Sequence, residues 1–177
     1  MHGIELPKNA PASIVENFSA TRKSKNSAGR KNGGKMKSNS PACEKVAEIY
    51  NWLDSQIQQS SLKAQCEACG KCCDFERFGH LLFITTPELV FLRENLEPEK
   101  IRKMPANICP YNEKGKCTIY PLRFAGCRIF FCEGDADFQS KLSESAISRF
   151  KSLCTEFDIP YIYSDLRTAL NVTLPKL

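Results

Sequence analysis

A chain of 177 residues and 19.9 kDa has the size of one domain with a tail. Its apolar fraction of 42% and charged fraction of 25% are those of a soluble globular chain. The longest strictly aliphatic or aromatic run is Leu81-Leu82-Phe83-Ile84, too short for a membrane-spanning helix of roughly 20 apolar residues. The net charge of +5 is unevenly held: residues 1–42 carry eight Lys or Arg against Glu5 and Glu16, for +6, and the remainder is −1.

The first segment, residues 1–40, is expected to be a disordered basic tail. Its second half, SATRKSKNSAGRKNGGKMKSNS, is Ser, Asn, Gly and Lys with almost no apolar residue, so it buries too little surface to offset its ordering entropy. Such a charge run can contact nucleic-acid phosphates. No aromatic residue interleaves the bases here for stacking, and a solvated tail is the expected reading. The opening residues also lack the continuous apolar stretch of a secretory signal, which points to a cytoplasmic protein.

Residues 41–177 are expected to form one domain. Ser40 can cap a helix and Pro41 suits its first position. Cys43, Val46, Tyr50, Leu53 and Ile57, with Ile49 beside them, then form one apolar stripe that runs out near Ser60-Ser61. An extended piece is expected over 80–85. Thr86-Pro87-Glu88 reads as the next helix start, with Thr86 as cap and Leu89, Leu92 and Leu96 on the apolar side. Residues 97–135 are rich in turn formers and read as loops and short turns. Asp137 can cap a third long helix with Phe138, Leu142, Ala146, Phe150, Leu153 and Phe157 as its stripe, closed by Pro160. Ser164-Asp165 opens a last short helix over 166–171. The fold class is therefore mainly α with few short strands, an α+β arrangement being the variant. It is a small helical domain around an irregular, metal-stapled, cysteine-rich centre.

The ten cysteines are the informative feature. Cys43 and Cys154 sit alone on predicted helices and read as core residues, since free cysteine packs as a small apolar side chain. The other eight form two groups: Cys66-x2-Cys69-x2-Cys72-Cys73, and Cys109-x7-Cys117-x9-Cys127-x4-Cys132. Two thiolates three positions apart on a tight turn can face one cation, and Gly70 after Cys69 permits the left-handed turn this needs. Adjacent Cys72 and Cys73 are expected to serve different centres, or to supply one ligand between them. Disulfides are disfavoured by a reducing cytosol and by spacing too short for long-loop staples. Zinc and an iron–sulfur cluster remain open. Cys66-x2-Cys69-x2-Cys72 matches the first three ligands of a bacterial ferredoxin loop, and Cys109-Pro110 supplies a Cys-Pro pair from far along the chain. All eight, Cys66, Cys69, Cys72, Cys73, Cys109, Cys117, Cys127 and Cys132, are candidate metal ligands. Lys71, Arg123 and Arg128 lie inside or beside the cluster sequence, where they can offset thiolate charge.

The run Cys66 to Cys73, then Cys109, then Cys117-Thr118-Ile119-Tyr120-x2-Arg123 and Cys127-Arg128, resembles the YkgJ-type cysteine-cluster family, described as zinc- or iron-chelating proteins. The resemblance covers residues 63–133, about 40% of the chain. It implies a metal-binding function with zinc or an iron–sulfur cluster, of 4Fe–4S type, as cofactor. Phe124 stands where the family often has proline. A similar cluster in flagellin lysine methylase is associated with an iron–sulfur centre, which tilts the expectation toward iron. Methylase activity does not carry over, because no matching cofactor motif is visible.

No Gly-rich phosphate loop, G-x-S-x-G elbow or H-E-x-x-H helix appears in the sequence. His80, Asp74 and Glu76 lie beside the cluster and read as structural or solvated groups rather than catalytic ones. Adjacent Cys72 and Cys73 could also act as a redox pair. The expected partner is a metal ion. The alternative function is an iron–sulfur redox or electron-transfer protein, or a subunit of an oxidoreductase or modifying enzyme.

Overall fold

Ser40 caps the first helix: its Oγ accepts from the Cys43 N–H at 3.3 Å, and Pro41 follows at the first helical position. The structure, a computed structural model, describes residues 40–60, 69–131 and 134–172. The expected basic tail therefore lies outside the described residues, except for Ser40, as do Cys66 and Cys132. Helix α1 spans Pro41–Gln59 and buries Cys43, Val46, Ile49, Tyr50 and Leu53 on one face, as the stripe predicts.

A strand, β1 (Phe83–Thr85), leads into helix α3 (Thr86–Asn95), with the one-turn helix α2 (Phe75–Phe78) before it. The cap of α3 is Thr85, one residue before the expected Thr86. Thr85 N–H and Oγ1 both donate to Glu88 Oε2, at 2.8 and 2.9 Å, so a capping box fixes the start. The expected extended piece shrinks to three residues because His80 is tied back to Cys72 O and Phe75 O.

Within 97–135 the chain forms the hairpin β2 (Asn112–Glu113) and β3 (Lys116–Cys117) and the short helix α4 (Ala125–Ile129). Lys114 and Gly115 at the hairpin tip both have positive φ, 51° and 77°, which suits a two-residue turn of the primed type. Helix α5 covers Ala136–Glu156. Its cap is Asp135, whose carboxylate accepts from Phe138 N–H, so the expected cap at Asp137 is two residues late. Strand β4 (Tyr163–Asp165) pairs antiparallel with β1 in the register Phe83–Asp165, Ile84–Ser164, Thr85–Tyr163. Helix α6 (Leu166–Asn171) follows with Asp165 as cap, as expected.

Two apolar clusters result. In the first, α1 packs on α3, α4 and α5 through Tyr50, Leu53, Phe91, Ile129, Ala146 and Phe150. The Tyr50 ring meets Phe91 edge-on at 5.4 Å and Phe150 at 6.3 Å between centroids. Cys43 and Cys154 are buried, as their helical positions predict. The second cluster gathers Phe75, Ile84, Leu92, Tyr111, Phe124 and Leu166 around Cys109, with Cys73, Cys117 and Cys127 packed against it. The chain is thus mainly helical with few short strands. Among the described residues no helix is long and apolar enough to cross a membrane.

Candidate metal centre

Four short segments carry the described candidate ligands. The first is the 3-10 turn Lys71–Cys73, entered through Gly70 in the left-handed conformation at φ 70°. Its shape is locked from outside. Asn112 Nδ2 donates to Gly70 O at 3.2 Å, while Asn112 Oδ1 accepts from Gly115 N–H at 3.0 Å, so one side chain clamps this turn to the hairpin. Cys109 N–H donates to Cys73 O at 2.8 Å, and Phe75 and Glu76 N–H both donate to Asn107 O. The segment holding Cys72 and Cys73 therefore runs against the segment holding Cys109. Strand β3 brings Cys117, and α4 brings Cys127.

The thiols interact. Cys72 and Cys73, and Cys73 and Cys109, are near enough to shift one another's thiols. Cys117 acts electrostatically on Cys73 and on Cys127, and Cys127 is further influenced by Cys72 and Cys73. The hydrogen bond from Cys73 raises the Cys72 thiol far above its ordinary value, with burial adding to it. Cys73 is pushed up to about 12, chiefly by its bond to Cys109. Burial raises Cys127 strongly, and the neighbouring thiols add to the shift. Five thiols from distant parts of the chain thus act on one another, and Cys72, Cys73 and Cys127 do not readily carry charge alone. Cys69, Cys72, Cys73, Cys109 and Cys127 form no disulfide. Cys69 is exposed.

Among the described residues, no three His, Cys, Asp or Glu side chains stand so that they could hold a metal ion as arranged.

The two arginines of the motif differ. Arg128 is buried, and each of its three nitrogens donates within the fold: Nη1 to Asp54 Oδ2 at 2.6 Å, Nε to Arg123 O at 3.0 Å and Nη2 to Pro121 O at 2.9 Å, with its guanidinium 4.3 Å from the Tyr50 ring centre. Arg123 lies 4.2 Å over the Tyr120 ring, and its Nε is buried with no hydrogen-bond partner. Its positive charge pulls down both the Cys72 and the Cys127 thiols. An orphaned buried donor beside thiols is chemistry that a metal–thiolate centre fits, since bound thiolates offer it an acceptor. Lys71 is exposed.

Asp74 is structural, because it caps α2 by accepting from Arg77 N–H. His80 Nε2 lies 3.0 Å from Cys72 O; a carbonyl only accepts, so Nε2 carries the proton.

Sequence reasoning passed over Asn112 and Asp54, and read Glu88 only as part of a helix start. Glu88 is 2% exposed and receives Thr85 on one oxygen and Ala125 N–H, at 2.7 Å, on the other, where Tyr50 Oη also approaches at 3.4 Å. It pins the first residue of α4, two positions before Cys127. The capping-box spacing was the only sequence signal for it.

No family model, curated protein or solved structure matches the chain.

Proposed function

We propose that this chain is a cysteine-cluster metal-binding protein of the YkgJ type. In this reading it holds zinc or an iron–sulfur cluster through thiolates drawn from Cys66, Cys69, Cys72, Cys73, Cys109, Cys117, Cys127 and Cys132. The observation that supports it is the gathering of Cys72, Cys73, Cys109, Cys117 and Cys127 from four segments into mutual contact or electrostatic reach. Hydrogen bonds among thiols are a poor stabilising device, because thiols are weak donors and acceptors. A metal would replace those weak bonds with strong ones and tie the loops of 69–131 together. The orphaned Arg123 Nε supports the same reading. Thiols kept reduced for metal fit a cytoplasmic setting.

Anaerobic purification followed by metal and acid-labile sulfide analysis, read beside the visible spectrum, tests this. Iron with matching sulfide and a broad visible absorption makes the centre an iron–sulfur cluster and gives the chain a redox role. Zinc without sulfide makes it a structural or metal-handling site. A chain that binds neither refutes the proposal.

A further inference from the structure

We infer that the apolar groove between the β1–β4 ribbon and α6 is the seat of Leu174, from residues 173–177 of this same chain. The inference does not depend on the metal-binding reading. A cavity of about 110 Å³ lies there, lined by Ile84, Leu89, Ile162, Ala169 and Val172. The hydroxyls of Thr85 and Thr86, also in its wall, are spent on Glu88 and on the backbone of Ile162, so they offer an occupant little polar anchorage. An aliphatic cavity of roughly 150 Å³ stays dry and holds one benzene. The space here therefore suits one branched aliphatic side chain. Ile162 and Val172 are 49% and 50% exposed, so among the described residues nothing covers this side of the groove.

Val172 is both a wall of the groove and the residue from which 173–177 continue. Its backbone is extended, at φ −81° and ψ 131°. Arg93, one turn beyond Leu89 on the same side of α3, donates to the Val172 carbonyl at 3.4 Å and holds this exit against the helix. In an extended chain residues two apart share a side. Continuation from Val172 therefore puts Leu174 on the groove side, at most about 7 Å along. Pro175 biases Leu174 to the same extended conformation. Residues 1–39 are the longer alternative. They join the fold at Ser40, whose hydroxyl donates to Glu94 at 2.9 Å. Glu94 is five positions from Leu89 and so on a different side of α3, which brings that segment in away from the groove. Ile84, Leu89 and Ala169 belong to the apolar cluster around Cys109, so Leu174 in this seat adds burial to the half of the domain that carries the cysteines.

The test uses the full chain with its Ile, Leu and Val methyls labelled for NMR. Leu174 methyls should show cross-relaxation to the methyls of Ile84, Leu89 and Ile162. Leu174→Ser should then shift those three signals and raise hydrogen exchange in the β4 and α6 amides about tenfold, as loss of one buried leucine predicts. Leu177→Ser should leave both as in wild type. Absence of cross-relaxation from Leu174 to the groove overturns the inference. So does cross-relaxation to the groove from Leu177 or from residues 1–39 instead. A sample mixed from labelled and unlabelled chains separates the last case: contacts that run only between chains make the occupant a second copy and overturn the inference as well. The methyl contacts are read on wild type, so a variant that folds poorly cannot mask the answer.

Discussion

Gly70 and Gly115 approach so closely that a Cβ built on Gly70 would lie 2.7 Å from the Gly115 carbonyl oxygen. The backbone of the first cysteine run thus rests directly on the backbone of the hairpin that carries Cys117. Asn112 bridges the same two glycines with its amide. Contact at this range leaves no room for a side chain, and it fixes how far Cys72 and Cys73 stand from the second cysteine group.

Replacing Gly70 with Ala should therefore cost about 2–4 kcal/mol, from the left-handed φ together with the backbone clash. Gly79 is the control. Its φ is 62°, but nothing lies within 4 Å of a built Cβ, so Gly79→Ala should cost only about 1–2 kcal/mol. Urea unfolding of the two variants checks this. Equal losses would show that the Gly70–Gly115 contact does not matter, and Gly70→Ala should also take up less metal.

The cysteines should divide into two classes under substitution by Ser. Cys43 and Cys154 lie in the helical core at 2% and 4% exposure, so Ser there should cost about 1–2 kcal/mol for a buried hydroxyl with metal content unchanged. Cys73→Ser and Cys109→Ser should lower metal content while leaving α1 and α5 helical. Elemental analysis beside circular dichroism separates the classes. Full metal content in both Cys73→Ser and Cys109→Ser would remove the centre of the proposed ligand set.

What the sequence made legible was local. Helix α1 could be read to within a residue because Ser40, Pro41 and the 43–57 stripe all act within a few positions of one another. The last helix was equally clear from Asp165. The starts of α3 and α5 were placed late because Thr85-Thr86 and Asp135–Asp137 each offer two capping residues, and only the folded backbone selects one. Strand β1 falls inside the extended piece read over 80–85, but its partner β4 is three residues long and lies across most of the domain, so no local pattern announces β4 or the pairing. At the site, the cysteines were visible as a composition, but their grouping was not. That grouping depends on Asn107, Asn112 and Glu88, whose bonds join distant segments. The interchangeable look of Arg123 and Arg128 has the same cause.

Arg128 is a brace, and its loss should show as stability. At 7% exposure it links α4 to Asp54 of α1, itself 36% exposed. Arg128→Met keeps the length of the stem but removes every bond, and should cost about 2–4 kcal/mol. Asp54→Asn, at the half-exposed end, should cost about 1 kcal/mol. In the metal-free chain Arg123→Gln should be neutral or slightly stabilising, because it removes an unpaired donor. Thermal melts of the three variants check the order. An Arg128→Met chain as stable as wild type would refute the brace.

Glu88 should make stability fall as pH rises through the weakly acidic range. Burial raises its carboxyl above the ordinary value, against the bonds from Ala125, Thr85 and Tyr50 that favour the charged form. The folded chain therefore holds this proton more tightly than the unfolded chain does. Its contribution is fullest below the ordinary carboxylate value and is lost as pH climbs through the raised one. Glu88→Gln removes that slope. It also costs about 1–3 kcal/mol, because the amide nitrogen must face either Thr85 or Ala125 N–H. Urea midpoints for both chains between about pH 4 and pH 7 test this. Parallel profiles would exclude Glu88 as the source of the slope.

Metal removal should loosen one half of the domain and spare the other. The first cluster, built from α1, α3, α4 and α5, contains Cys43 and none of the candidate ligands among its buried residues. The second is built around Cys109 with Cys73, Cys117 and Cys127 against it; beyond α3 and α6, its elements are short: a four-residue helix, a hairpin of two-residue strands and 3-10 turns. Elements of that length do not persist without tertiary support. Chelation should therefore raise hydrogen exchange over 69–78 and 107–127, while amides in α1 and α5 keep their protection. Exchange that rises equally in α1 would mean that the two clusters unfold as one unit, and that the centre supports the whole domain rather than its cysteine-bearing half.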